Sequence, residues 1–195
     1  VISGYFITSI ILAEQSAGTF SIVGFFERRA RRILPALFFV MLACFAFAWF
    51  WMLPNQLKEF ARYLVAVSVF ASNVLFWRES GYFVPAAELN PLLHTWSLAL
   101  EEQYYVLFPV FMVLFWGLGK KWLAACLAVF GAISLALAEW GSVNHPVAAF
   151  YLLPTRGWEL LIGGLISFFH FGKNERTVPA LLEQPASLIG FALIA

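Results

Sequence analysis

A run of 21 residues without a charge, residues 33–53, sets the strongest limit on what this chain can fold into. A helix of that length, rising roughly 1.5 Å per residue, is about 30 Å long, which matches the hydrocarbon core of a bilayer. Four arginines precede the run, within residues 28–32. Because positive charge beside a span marks the cytoplasmic side, a transmembrane helix beginning at the cytoplasmic face is predicted. Pro35 is expected near its start, where a missing N–H is tolerated.

Apolar runs recur along the chain, which is 62% hydrophobic and 12% charged, with a mean hydropathy of +0.83. Soluble domains carry about twice that share of charge. The sequence therefore predicts an all-α, polytopic transmembrane helix bundle with about five complete and two partial spans. The uncharged run at 63–77 is short for a crossing and is expected to be tilted or partly re-entrant. Strict alternation of the spans would put Lys120 and Lys121 outside, against the positive-inside tendency.

The same composition also bears on the domain organisation of the chain and on its expected binding partners. Both ends of the chain lie inside apolar runs, so residues 1–195 are expected to be part of one membrane domain, truncated at both ends. The net charge of +1 gives no reason to expect nucleic acid, whereas membrane lipid is an expected partner. Cys44 and Cys126 lie in apolar runs without metal-binding spacing, so no metal site is predicted.

The segment 91–105, Pro-Leu-Leu-His-Thr-Trp-Ser-Leu-Ala-Leu-Glu-Glu-Gln-Tyr-Tyr, places polar groups at the entry of an apolar run. On a helix, Ser97 and Glu101 share one face, and Glu101 and Glu102 point about 100° apart. Intramembrane carboxylates are rare and usually functional, and either one is a candidate general acid or base. Alternatively, both glutamates lie in the first turns of a helix, where they complement its dipole.

Five residues are candidates for contact with a substrate. His94, seven residues before Glu101, is a candidate base or ligand, or else an interfacial histidine. Trp96 and Ser97 are candidate substrate contacts. Arg156 and Glu159 are three residues apart in an apolar context. They are expected to form either a structural ion pair or a pair of polar groups in a substrate cavity.

The cluster Arg28, Arg29, Arg31 and Arg32 has two interpretations. It fixes membrane topology and touches anionic lipid headgroups. Alternatively, it binds a phosphorylated ligand at the cytoplasmic face through charge-assisted hydrogen bonds, for which guanidinium groups are well suited.

Five ordered segments make the chain resemble bacterial acyltransferase family 3, whose members are membrane O-acyltransferases that modify lipopolysaccharide, peptidoglycan and exopolysaccharide. The segments contain Ile-Ser-Gly-Tyr, Glu-Arg-Arg-Ala-Arg-Arg-Ile-Leu-Pro, Ala-Ser-Asn, His-Thr-Trp-Ser-Leu with Glu-Glu-Gln-Tyr-Tyr, and Leu-Pro-Thr-Arg-Gly-Trp-Glu-Leu. They lie at residues 1–8, 26–35, 71–77, 91–105 and 153–160.

The resemblance implies a bundle of about ten membrane helices in the bacterial inner membrane. It implies no bound cofactor, acetyl-CoA or a similar acyl-CoA as cytoplasmic donor, and a surface-glycan hydroxyl as acceptor. It also implies a catalytic Arg and His helix upstream and an SGNH hydrolase-like domain downstream, so the excerpt alone is expected to be inactive. The family's Arg-x-x-Arg feature matches Arg28 with Arg31, or Arg29 with Arg32, and its acid matches Glu101 or Glu102.

Two function classes follow from these observations. The first is an integral membrane O-acyltransferase, in which the arginines bind the phosphates of the acyl-CoA donor and a glutamate orients the catalytic base. The second is a proton-coupled transporter or glycan flippase that uses the intramembrane acids. The arginine cluster and the ordered segments favour the enzyme.

Overall fold

The computed structural model describes residues 1–80 and 90–171, and within these ranges the chain is helical and contains no strand. The predicted all-α class is therefore confirmed. One turn of 3-10 helix, Trp116–Leu118, follows the fifth α-helix. The α-helices are α1 (Ile2–Ser16), α2 (Ile22–Trp51), α3 (Pro54–Ser68), α4 (Ser72–Glu79), α5 (Thr95–Phe115), α6 (Lys120–Asn144), α7 (Pro146–Tyr151) and α8 (Leu153–His170).

Three of the described helical segments are long and apolar enough to cross a membrane, namely Ile22–Trp51, Thr95–Leu118 and Lys120–Asn144. Large apolar side chains of α2 point away from the protein, and Phe39 and Phe50 are 73% and 79% exposed. Such a surface suits lipid rather than water. The chain is therefore a membrane protein, while the larger number of spans stays a prediction.

Helix α2 begins earlier than the apolar run predicts. Ser21 caps it, since its Oγ accepts a hydrogen bond of 3.2 Å from the backbone N–H of Gly24. The arginine cluster therefore lies inside the helix, because arginine is a good helix former. Pro35 is consequently in the interior of the helix, and the prediction that it lies near the helix start was wrong.

The run at 63–77 is two helices rather than one tilted segment. Phe70, between α3 and α4, has a φ of +53°, a left-handed conformation that ends a helix and is uncommon for a residue with a side chain. The side-chain amide of Gln103 donates to the Phe70 carbonyl over 2.9 Å and so stabilises the break. Neither α3, of 15 residues, nor α4, of 8, is long enough to cross a bilayer.

Helix α5 runs antiparallel to α2. Near the start of α2, Phe25 belongs to the same buried cluster as Met112 and Leu123. Further along α2, Leu37 belongs to a second buried cluster, together with Leu92. The end of α5 therefore lies at the end of the bundle where α2 begins.

This direction corrects the expected side of Lys120 and Lys121. Both lysines follow α5 directly, so they lie at the same end as the arginines of α2. The Lys120 ammonium is 4.1 Å from the ring centre of Phe171, the residue that ends α8. Strict alternation fails because α3 and α4 do not add a complete crossing between α2 and α5. The basic groups thus follow the positive-inside tendency.

Helices α1 and α8 pack against each other through small residues. A Cβ placed on Gly4 would lie 1.9 Å from the Leu160 carbonyl oxygen, which is far closer than atoms can approach. Ser9 and Ser167 add an interhelical hydrogen bond of 2.9 Å between their hydroxyls. Close backbone approach with hydroxyl pairs is the usual way that membrane helices associate. This contact fixes the position of α1 in the bundle.

The glycine contact gives a direct stability prediction. We expect Gly4→Ala to lower the stability of the protein in detergent by about 3 kcal/mol, because the added methyl group must displace the backbone of α8. Gly117→Ala is the matched control, since a Cβ there meets nothing within 4 Å. Thermal melting of the purified intact gene product measures both, and equal melting temperatures would contradict the close contact.

The direction of the helices is testable by cysteine labelling. In a background without Cys44 and Cys126, Lys121→Cys should stay unlabelled when intact cells receive a membrane-impermeant maleimide. Asn144→Cys, at the other end of α6, should be labelled in the same cells. Labelling of Lys121→Cys from outside would show that the lysines and the arginines lie on opposite sides.

Candidate functional site

A cleft of about 550 Å³ lies between α1, α2 and α5 and is lined by two arginines of the cluster, Arg29 and Arg32. Apolar side chains of α1, including Phe6 and Ile10, form one wall. Its polar lining consists of Ser3, Arg29, Arg32, Glu101, Glu102 and Tyr105. The fold therefore brings together two of the predicted arginines and both predicted glutamates, which are about 70 residues apart in the sequence.

The four arginines divide into two pairs on different faces of α2. Arg28 forms an ion pair of 2.8 Å with Glu14, and Arg31 one of 2.6 Å with Glu27. Arg29 and Arg32, three residues apart, instead line the cleft. The spacing of three puts the members of each pair on one helix face. The register that the sequence left open is thus Arg29 with Arg32 at the cleft.

Arg29 is positioned by aromatic rings rather than by a carboxylate. Its guanidinium carbon lies 4.5 Å from the centre of the Tyr105 ring and 5.9 Å from that of Phe25. Among the residues that the structure describes, neither Arg29 nor Arg32 has an acidic group within ion-pair distance. Their donors and their positive charge are therefore free to bind an anionic ligand.

Glu101 is held by two hydroxyl groups. Ser3 of α1 donates to its Oε1 over 3.3 Å, and Tyr105 donates to its Oε2 over 2.8 Å. Glu101 is the seventh residue of α5, beyond the first turn in which a helix dipole stabilises negative charge. The dipole account of the two glutamates therefore does not apply, and the acids are held by side chains and by the cleft.

Glu102 is more deeply buried than Glu101, with a relative exposure of 9%. Its Oε1 is buried and has no hydrogen-bond partner among the described residues. An unsatisfied buried acceptor costs free energy, so Glu102 differs from Glu101, whose two carboxylate oxygens both accept hydrogen bonds.

A second, smaller cavity of about 160 Å³ shares Glu101 with the cleft. Arg156 Nε donates to Glu159 Oε1 over 3.0 Å, so these two residues form the ion pair that the sequence suggested. The guanidinium of Arg156 also lies 5.4 Å from the ring centre of Trp96. Trp96, Ser97, Arg156 and Glu159 all line this cavity. The predicted substrate contacts thus lie together, on the other side of Glu101 from Arg29.

Three of the predicted site residues lie elsewhere. Arg28 and Arg31 point away from the cleft, into their ion pairs. His94 is exposed at the N-cap of α5 and lines neither cavity, although its carbonyl accepts a hydrogen bond of 3.1 Å from Ser97 Oγ.

The sequence did not predict a pair of hydrogen-bonded amides next to the acids, the buried Asn73 and the half-buried Gln103. Gln103 Nε2 donates to Asn73 Oδ1 over 2.8 Å, and Asn73 Nδ2 donates to the Tyr151 carbonyl over 3.0 Å. These hydrogen bonds join α4, α5 and α7, and Gln103 directly follows Glu102 in the sequence. Buried polar side chains in membrane helices often bond between helices, but nothing local in the sequence pairs these two positions.

The chain belongs to the family described as "Acyltransferase domain", which it matches over residues 1–195. This is the acyltransferase family 3 that the sequence segments resemble, so that prediction and the predicted O-acyltransferase class are confirmed at the level of the family. No solved structure matches the chain significantly.

Relatives of known name point to the same class. The chain is 30% identical, over 97% of its length, to the peptidoglycan O-acetyltransferase OatA of Listeria monocytogenes, and 32% identical, over 56% of its length, to the O-acetyltransferase OatA of Staphylococcus aureus. It spans only 32% and 18% of those two proteins. A Haemophilus influenzae protein without an assigned function is 32% identical over 90% of this chain and 74% of its own length.

Proposed function

We propose that this chain provides the donor cleft of an integral membrane O-acyltransferase, which transfers an acetyl group from acetyl-CoA to a hydroxyl group of a cell-surface glycan. The observation that carries the proposal is the cleft that contains Arg29, Arg32, Glu101 and Glu102. The membership in the acyltransferase family and the names of the relatives support it. We propose further that the protein lies in the bacterial cytoplasmic membrane as a multi-pass protein of about ten spans, with residues 1–195 as part of one domain.

The arginines bind the donor. Coenzyme A carries several phosphate charges, and guanidinium groups bind phosphate through paired, charge-assisted hydrogen bonds. Arg29 and Arg32 belong to the basic cluster in the first three turns of α2, and the positive-inside tendency makes the start of α2 the cytoplasmic end. Acyl-CoA is thus a donor substrate that enters from the cytoplasm, and no bound cofactor is proposed.

Glu101 serves the chemistry. In the transfer, the glycan oxygen forms a bond to the thioester carbonyl carbon, the carbon–sulfur bond breaks, and the hydroxyl proton leaves as the thiol is formed. Glu101 orients the base that removes this proton, as a carboxylate orients a histidine in other acyl-transfer sites. Its bonds to Ser3 and Tyr105 hold it in place for this role. His94 is not proposed as the base because it lies outside both cavities.

The acceptor side is the smaller cavity. Arg156, Glu159, Trp96 and Ser97 line it and meet the donor cleft at Glu101. An aromatic ring beside hydrogen-bonding groups is the usual recognition surface for a sugar, since the ring packs on C–H groups while the polar groups bind hydroxyls. A donor and an acceptor would thus approach one carboxylate from two sides.

One assay distinguishes the acyltransferase hypothesis from the transporter hypothesis. Membranes that contain the intact gene product should consume acetyl-CoA and place labelled acetyl groups on the cell's own envelope glycans. A proton-coupled transporter or flippase would consume none. Absence of both consumption and labelling in membranes with confirmed protein would contradict the proposed function.

The role of the acids is tested by isosteric amides. Glu101→Gln should lower kcat for acetyl transfer by about 10²-fold or more, because an amide cannot orient or charge the base. Glu139→Gln is the control, since this acid lies near the outer end of α6 and lines neither cavity. Full activity of Glu101→Gln would remove Glu101 from the mechanism.

The role of the arginines is tested by comparing the two pairs. Arg29→Gln and Arg32→Gln should each raise the KM for acetyl-CoA by about tenfold or more, because each loses charge-assisted bonds worth about 1.5–3 kcal/mol. Arg28→Gln and Arg31→Gln should leave that KM within about twofold, because these residues bind Glu14 and Glu27 at exposed sites. Equal effects of all four substitutions would point to a general role of positive charge at the membrane.

A further inference from the structure

A third cavity lies at the end of the bundle away from the arginines. It has a volume of about 570 Å³, within the usual range of ligand pockets. Residues around the end of α6, the short α7 and the start of α8 surround it, and α4 contributes Trp77. Because α6 runs from Lys120 at the basic end to Asn144 here, about 35 Å separates the two ends of this helix.

Two indole rings face this cavity together with neutral polar groups. Trp77 and Trp140 are 39% and 57% exposed. Trp140 also lies against His145, with 5.4 Å between the ring centres. Asn144 donates its side-chain N–H to the Trp140 carbonyl over 2.8 Å. This bond ties the amide to the helix beside the indole and leaves its carbonyl oxygen for other donors.

The lining of this cavity excludes several ligand classes. Among the described residues, no lysine, arginine, aspartate or glutamate lines it, so a phosphate such as that of coenzyme A has no counter-charge there. Exposed indoles beside an amide and an imidazole suit a neutral, hydroxyl-rich ligand, whose C–H faces pack on the rings while its hydroxyls bond to Asn144 and His145.

The cavity is adjacent to the acceptor side of the proposed active site. Thr155 lines it, while the next residue, Arg156, lines the smaller cavity that contains Glu101. Helix α7, between the two, places Phe150 against Trp96, with 4.6 Å between ring centres. The two cavities are therefore neighbours, separated by α7 and the first turn of α8.

We infer that Trp77, Trp140, Asn144 and His145 form an outer sugar-binding subsite. It holds a neutral unit of the glycan acceptor while another unit is acylated beside Glu101. This inference rests on the proposed function. It adds residues that bind the acceptor on the outer face, away from the donor.

The experiment uses membranes that contain the intact gene product, with labelled acetyl-CoA as donor and the host's own envelope glycan as acceptor. Trp140→Ala and Trp77→Ala should each lower acetyl transfer to glycan by about tenfold, roughly the loss of 1.4 kcal/mol of binding. The KM for acetyl-CoA should be unchanged. Trp140→Tyr should recover most of the transfer, because a phenol ring also packs on a sugar.

Trp122→Ala is the matched control, since Trp122 is a 69% exposed indole of the same helix at the basic end. Protein amount and melting temperature in detergent are measured for every variant. If the wild type labels glycan and Trp140→Ala and Trp77→Ala label it as well as Trp122→Ala does, the subsite is wrong and the proposed function stands. If the wild type neither consumes acetyl-CoA nor labels glycan, the proposed function fails and the subsite with it.

Discussion

The cost of placing charged side chains in an apolar environment governs the arrangement of this protein. Arg29, Arg32, Glu101 and Glu102 lie on helices whose neighbouring residues face lipid. Such groups stay charged only where the protein supplies partners or an open, polar cleft. For Glu101 the partners are the hydroxyls of Ser3 and Tyr105, and for Arg29 they are the rings of Tyr105 and Phe25. These ionisable groups are thereby concentrated in one cleft between α1, α2 and α5.

Three separate interhelical contacts position the helices that line the cleft. Gly4 lets α1 approach the α8 backbone closely, which carries Ser3 to Glu101. The cation–π contact between the Arg29 guanidinium and the Tyr105 ring joins α2 to α5. The amides of Gln103 and Asn73 join α5 to α4 and α7. Small residues and interhelical hydrogen bonds are the forces available within a membrane, where lipid is as apolar as leucine. The contacts that hold the helices together thus also set the positions of the residues that line the cleft.

The sequence predicted the helical class, the membrane location and the family, because these depend on composition, run length and ordered segments. It also named residues that the fold brings together, including Arg29, Arg32 and Glu101. It could not choose between the two arginine pairs, because the contact of Arg28 with Glu14 depends on how α1 and α2 pack, although Glu27 and Arg31 have the local i,i+4 spacing. It misplaced Pro35, since the first turns of α2 are charged and only a structure shows that they continue the helix.

The direction in which α5 crosses the membrane could not be predicted from the sequence, for a different reason. Counting spans assumes that each apolar run crosses the membrane, and the break at Phe70 turns the run at 63–77 into two short helices. Only the tertiary contact between Phe70 and Gln103 marks that break. The same limit applies to the smaller cavity, whose residues come from the start of α5 and the start of α8. Their proximity depends on helix packing rather than on any local motif.

The central claim is that the cleft between α1, α2 and α5 binds the donor. The most direct measurement is a structure of the intact gene product with coenzyme A bound in a lipid nanodisc. We expect phosphate oxygens within hydrogen-bond distance of the guanidinium groups of Arg29 and Arg32, with the thiol end directed toward Glu101. Coenzyme A bound elsewhere, with the cleft filled by lipid, would contradict it.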